Sequence, residues 1–246
     1  MGYTDVRELQ ANQAAENASS REKMEIEPGR THPLGAIPDE TGINFSIFAD
    51  HATAVELLLF DGHDDLEPVE TIQLDSNKNK TFNFWHVYVR GLKPGIHYAY
   101  RVDGPTDLHG KGDRYNPNKV LIDPYARGNT DTLWNRGAAC DADDNIATSM
   151  RSVVIDTKGY DWEGDRPLNR PMQETVIYET HVRGFTQSPS SNCQNKGTFA
   201  GLVEKISYLK TLGITAIELL PIFDFDRKEV KQISPHDGKP LTNYWG

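Results

Sequence analysis

Residues 43–49 read INFSIFA, apolar and polar positions alternating with the period of two that turns one face of a strand into a core. AVELLLF (54–60) is more continuously apolar. ETIQL (70–74), FNFWHVYV (82–89) and HYAYRV (97–102) follow, separated by the turn signals Asp61-Gly62, Ser76-Asn77 and Lys93-Pro94-Gly95. Short strands at this spacing predict an immunoglobulin-like β-sandwich over residues 29–104. Residues 1–28 are rich in Ala, Asn, Gln, Ser and Glu and predict a mobile polar tail. Residues 105–171 are rich in Pro, Gly and Asp and predict a loop-rich linker segment, with SVVID (152–156) as one further strand.

From residue 172 the period changes. TVIYETH (175–181) predicts a strand. TFAGLVEKISYLKTLG (198–213) places Phe199, Leu202, Val203, Ile206, Leu209 and Leu212 at helical spacing, with Gly213 as terminator. ITAIELLP (214–221) predicts a second strand, buried on both faces. Strand, helix and buried strand form a βαβ unit and imply a parallel sheet. About 70 residues of such a sheet cannot cover both of its faces.

Composition narrows the function classes. The 246 residues carry a net charge of −10, which argues against a nucleic-acid partner but does not oppose a neutral one such as a sugar polymer. No apolar run reaches membrane-spanning length, so no membrane role is expected. The acidic N-terminal segment lacks the apolar core of a secretory signal, and Cys140 and Cys193 sit at no metal-like spacing. Both features point to a cytoplasmic protein with free thiols. DADDN (141–145) imitates a calcium loop, yet Ile146 stands where that loop needs Gly and Ser152 where it needs Glu. No metal and no cofactor are expected.

Candidate chemistry gathers in VIYETHVRGFT (176–186). Glu179, His181 and Arg183 occupy alternate positions and would share one strand face. They lie at the C-terminal end of a parallel strand, where α/β proteins place their chemistry. Asp224 and Asp226 follow the second strand at the same end. Glu179 and Asp224 could be paired as acid and nucleophile. The alternative is that Glu179 and His181 are inward residues that organise the mouth of a barrel. The rings of FNFWHVYV are expected mainly in the core. Trp134 and Trp162, in loop-like sequence, are the better candidates for exposed rings that could stack on a sugar.

These stretches resemble a known family. VIYETHVRGFT, GTFAGLVEKISYLKTLGITAIELLPI and NYWG resemble the start of the catalytic barrel of glycoside hydrolase family 13, in the form found in isoamylase-type glycogen debranching enzymes. PLGAIPDETGINFSIFADHATAVELLLFD, WHVYVRGLKPGIHYAYRVDGP and RYNPNKVLIDPYAR resemble the carbohydrate-binding module of family 48 that precedes it. The resemblance covers residues 29–246. It implies that 172–246 is the first βαβ part of an incomplete α/β (TIM) barrel. The family's three catalytic carboxylates follow strands four, five and seven, so none falls on this chain and Glu179 and Asp224 are not the catalytic pair. The resemblance places Glu179, His181, Arg183 and Asp224 as structural residues of the barrel mouth. Tyr244 and Trp245 lie beside the family's ring that stacks on the sugar. The implied partner is an α-glucan such as glycogen, amylopectin or branched maltodextrin, joined by a complementary barrel polypeptide. A stand-alone glucan-binding module and half of a transglycosylating relative are the competing expectations.

Overall fold

The computed structural model describes residues 24–223, 225 and 230–246, and the chain divides between Tyr160 and Asp161 into two compact units. Asp224 and Asp226, and residues 1–23 of the expected tail, lie outside the described residues.

The first unit contains, in chain order, β1 (Glu25–Glu27), β2 (Gly35–Pro38), β3 (Gly42–Phe48), β4 (Ala54–Phe60), β5 (Glu70–Gln73), β6 (Lys80–Thr81) and β7 (Phe84–Arg90). It continues with β8 (His97–Asp103), β9 (Thr106–Asp107), β10 (Asp113–Arg114), β11 (Val120–Leu121), β12 (Asn129–Thr130), a short helix α1 (Arg136–Cys140) and β13 (Arg151–Val153). One antiparallel sheet runs β1-β7-β3-β2, with β6 beside β7. The other runs β12-β13-β8-β4-β5, with β11 beside β8.

The inner faces of the two sheets share one core. Ile43, Phe45 and Ile47 of β3 and Trp85, Val87 and Val89 of β7 come from the first sheet. Val55, Leu57 and Leu59 of β4 and Tyr98, Tyr100 and Val102 of β8 come from the second. Each such burial contributes about 1.5–3 kcal/mol, and Trp85→Ala would cost about 3–5 kcal/mol through the cavity it leaves. The unbroken apolar run of β4 has its own cause. Leu58 and Phe60 point to the opposite face, where Val120 and Ile146 cover them together with Ala99. That second layer comes from the segment read as a linker. Asn145 Oδ1 accepts from Val120 N at 2.8 Å, and the buried Asp123 accepts from the Tyr98 hydroxyl at 2.9 Å. Side chains hold this segment to the sheet, which is why strands of two or three residues suffice there.

The first strand also differs from expectation. Glu25–Glu27 pair with Tyr88–Arg90, and Arg90 Nη2 lies 2.7 Å from Glu27 Oε1. The segment read as a tail thus supplies an edge strand whose order rests on backbone pairing and an ion pair.

The second unit is smaller: β14 (Ile177–His181), α2 (Val182–Gln187), α3 (Phe199–Val203), α4 (Ile206–Thr211) and β15 (Ala216–Leu220). The two strands pair in parallel, from Ile177 opposite Ala216 to His181 opposite Leu220, as the βαβ pattern requires. Two expectations fail. The single helix over 198–213 is two helices, because Lys205 N bonds to Leu202 O at 2.9 Å, a tightened turn. The Glu204 carboxylate faces away from the helix to accept from Gln194 N at 2.8 Å and Asn195 N at 3.0 Å. The burial of the strands fails too: Ile177 is 52% exposed, Ile217 36% and Leu220 37%. Two strands and three short helices are too few to enclose them. Among the described residues no helix is long and apolar enough to cross a membrane.

Candidate functional site

The second unit is organised around His181, the last residue of β14. Its Nδ1 accepts from the backbone N–H of Arg183 at 3.0 Å and of Gly184 at 3.1 Å, capping α2. An accepting Nδ1 leaves the ring proton on Nε2, which donates to the Tyr244 carbonyl at 2.7 Å. The imidazole also stacks on the Tyr244 ring at 3.7 Å and 13°, and Trp245 meets both rings edge-on. A Cβ on Gly184 would sit 2.3 Å from the Tyr244 hydroxyl, so a larger residue there would push the Tyr244 side chain aside. One histidine thus ties the exit of the first strand to NYWG.

Beside this stack lies a groove of about 590 Å³ at the C-terminal ends of the two strands. Its rings come from Phe199, Phe223, Phe225 and Tyr244; its donors come from Arg183, Gln187, Lys196 and Asn243. Phe223 is 83% exposed. The loop that brings in Lys196 is fixed by the fully buried Thr186, whose Oγ1 accepts from Gly197 N at 2.8 Å. The same loop is gripped by Glu204, whose carboxyl is held below its ordinary range by the Gln194 and Asn195 amides. Apolar rings beside flexible donors, in a groove open to solvent, suit a polyhydroxylated ligand whose C–H faces and hydroxyls need different partners.

The residues singled out from sequence fall in different places. Strand geometry ends at His181, so Arg183 is not on a face with Glu179 and His181; it stands in the first turn of α2 and lines the groove. Glu179 is exposed and sits in register beside Glu218 of β15, away from the groove lining. Tyr244 lines the groove and Trp245 packs behind it. Trp134 is half-buried in the first unit, and Trp162 is exposed in the second. Lys196, Gln187, Phe223 and Asn243 went unrecognised. The first lies in a polar loop without periodicity, and only the PIFDF stretch after the second strand could have signalled Phe223.

The calcium-like DADDN loop is folded around cations of the protein itself. Lys119 Nζ donates to Ala138 O and Asp141 Oδ1, both at 2.8 Å, and to Asp143 O. Arg101 holds both oxygens of Asp144, at 2.9 and 2.7 Å. The lysine ammonium pulls the Asp141 carboxyl below its ordinary range.

Comparison with known proteins gives a consistent result. The family model of carbohydrate-binding module 48, the isoamylase N-terminal domain, matches residues 33–126. The model of the α-amylase catalytic domain matches residues 181–243. The glycogen debranching enzyme of Yersinia enterocolitica is 41% identical over 228 residues, covering 89% of this chain and 32% of that protein. Chloroplastic isoamylase 1 of Arabidopsis thaliana is 35% identical over 226 residues, covering 90% of this chain and 28% of that protein. The apo pullulanase of Paenibacillus barengoltzii superposes with a TM-score of 0.58 at 26% identity, over 80% of this chain and 28% of that one. The chain spans about a third of the length of the curated relatives it matches. The resemblance carried by VIYETHVRGFT, NYWG and the upstream strands therefore extends over most of the chain.

Proposed function

We propose that this chain is the glucan-recognising N-terminal part of an α-1,6-debranching glycoside hydrolase. By itself it binds branched α-glucans (glycogen, amylopectin or maltodextrin) without cleaving them. One observation carries the reading: at the C-terminal ends of the two strands the groove sets the rings of Phe199, Phe223, Phe225 and Tyr244 beside the donors of Arg183, Gln187, Lys196 and Asn243. Glycoside hydrolysis with retention needs two carboxyl groups about 5–5.5 Å apart across the scissile bond. Glu179 and Glu218 are neighbours in register, but neither lines the groove.

The names of the matched relatives supply the substrate class. On this reading the two-sheet unit is an immunoglobulin-like sandwich, and residues 172–246 are the opening βαβ part of an α/β barrel. Remaining strands, borne by complementary polypeptide, would cover β15 and contribute the catalytic carboxylates. The free thiols of Cys140 and Cys193 fit a reducing, cytoplasmic setting. Reducing-end release from glycogen by the chain alone is expected to equal a buffer blank. Release above the blank that Glu179→Gln abolishes would overturn the proposal and make Glu179 catalytic. A stand-alone binding module is the second reading, supported by the match of residues 33–126 to a carbohydrate-binding module. It requires that adding the remaining barrel strands of a relative in trans restores no cleavage.

A further inference from the structure

The hydrogen bonds of His181 are of a kind that one proton can undo. Its Nδ1 faces two backbone N–H groups, those of Arg183 at 3.0 Å and Gly184 at 3.1 Å, and an N–H can only donate. Nε2 already carries a proton and gives it to the Tyr244 carbonyl at 2.7 Å. A second proton on the ring would therefore have to go on Nδ1, setting a third N–H against the other two. The imidazolium can find a partner for Nδ1 only by turning its ring away from the start of α2. The ring is half-buried at the end of β14, within reach of protons from solvent.

A turned ring disturbs the groove directly. His181 and Tyr244 both line it, and their rings are stacked 3.7 Å apart. Arg183, whose N–H is one of the two donors, lines it too. Among the described residues, the titratable and charged groups around the ring are Glu179 on β14, Arg183 on α2, Lys196 in the loop before α3 and the Tyr244 phenol. Arg183 and Lys196 oppose a further positive charge. Glu179, on the same strand face, and the Tyr244 ring tolerate one. Neither can take a proton from Nδ1 while two N–H groups occupy it, so the backbone donors decide in favour of the neutral ring.

We infer that His181 is a pH-sensitive latch on the groove. Neutral, it holds Arg183 and Tyr244 in place for the ligand; protonated, it lets go of α2, frees the Tyr244 ring and weakens binding. His181 is thus a positioning residue that acts through Arg183 and Tyr244. The inference rests on the glucan-binding reading above for the identity of the ligand, whereas the latch itself is a property of the fold.

The test compares the full chain with His181→Asn, whose side-chain oxygen keeps the cap but does not titrate. Two quantities are followed from about pH 7.5 to about pH 5, across the ordinary imidazole range. One is the affinity for maltoheptaose, read by tryptophan fluorescence at concentrations below self-association; the other is the amide protection factor of Arg183 and Gly184. In the unaltered chain both should fall by at least about tenfold, and in His181→Asn each should change by less than about threefold. His97, which also disfavours its proton in the folded state, is common to both chains, so the difference belongs to residue 181. A second measurement needs no variant: the ring nitrogen chemical shifts of His181 should titrate over the same pH interval as the affinity. If protection stays constant, if the two chains fall in parallel, or if the ring titrates elsewhere, the latch is wrong, and maltoheptaose binding leaves the groove reading standing. Affinity that stays constant while protection falls also overturns the inference. Protection that falls only in the unaltered chain, with maltoheptaose bound at no pH, upholds the latch and refutes the glucan reading of the groove.

Discussion

Replacing His181 with alanine removes a helix cap, a hydrogen bond and a ring stack, and the structure allows each to be weighed. Loss of the cap on Arg183 and Gly184 costs about 1 kcal/mol. Loss of the Nε2–H bond to the Tyr244 carbonyl costs about 1 kcal/mol. The ring stack on Tyr244 adds about 0.5 kcal/mol, the low end of the aromatic range because Tyr244 remains 45% exposed. The sum, about 2.5 kcal/mol, corresponds to a change of about sixty-fold in local opening. Two further variants separate the contributions. His181→Asn restores only the cap and should cost about 1.5 kcal/mol. His181→Phe restores only the stack and should cost about 2 kcal/mol. The assay is amide hydrogen exchange at Arg183 and Gly184, read against urea denaturation. Faster exchange in the order Ala, Phe, Asn, unaltered is expected. If His181→Asn exchanges as fast as His181→Ala, the cap does not hold this corner and the derivation fails.

Other consequences follow from the same geometry. Lys119→Met leaves the carbonyls of Ala138 and Asp143 without their ammonium donor and should lower stability by about 2 kcal/mol in urea denaturation; an unchanged midpoint would mean that the loop does not need its internal cation. Asp39, held at about 2 chiefly by the Thr41 amide against an ordinary carboxyl, contributes stability that is present above pH ~4 and lost as pH falls through about 2; Asp39→Asn should flatten that acid limb. His97, pushed down by burial, binds its proton more readily unfolded than folded, so stability should decline as pH drops below ~6.5, and His97→Gln should remove that slope. The exposed Val176, Phe199, Val203, Ile206 and Leu212 beside the open strand β15 should make the full chain self-associate at tens of micromolar, roughly where exposed edges pair, whereas a version ended at Pro171 sediments as a monomer; equal sedimentation would mean that the second unit shields itself.

Much of this fold can be read from the order of residues, and the exceptions share a cause. β3 and β4 fall on INFSIFA and AVELLLF because periodicity reports burial, and these strands are buried. The continuous apolarity of β4 has its cause in a second covering layer, over Leu58 and Phe60. What supplies that layer, Val120 and Ile146, was hidden in sequence read as a linker, because Asp123, Asn145 and Arg151 hold it by polar contacts that no periodicity records. At Glu204 a side chain bonded to a neighbouring loop overrides helical spacing on both sides of it. Within the site, the tie between β14 and NYWG was legible as two motifs but not as one stack, since 62 residues separate His181 from Tyr244. Phe82 was read as the start of a strand and expected in the core. Only the φ of a two-residue turn reveals it as the most exposed phenylalanine of the first unit.

Electrophoresis of the native chain through gels with and without amylopectin tests the central claim most directly. If the proposed function holds, the chain should migrate more slowly in the polysaccharide gel, and the iodine stain along its track should stay intact. Equal mobility in the two gels would contradict glucan recognition, and a cleared track would contradict the claim that this chain binds without cutting.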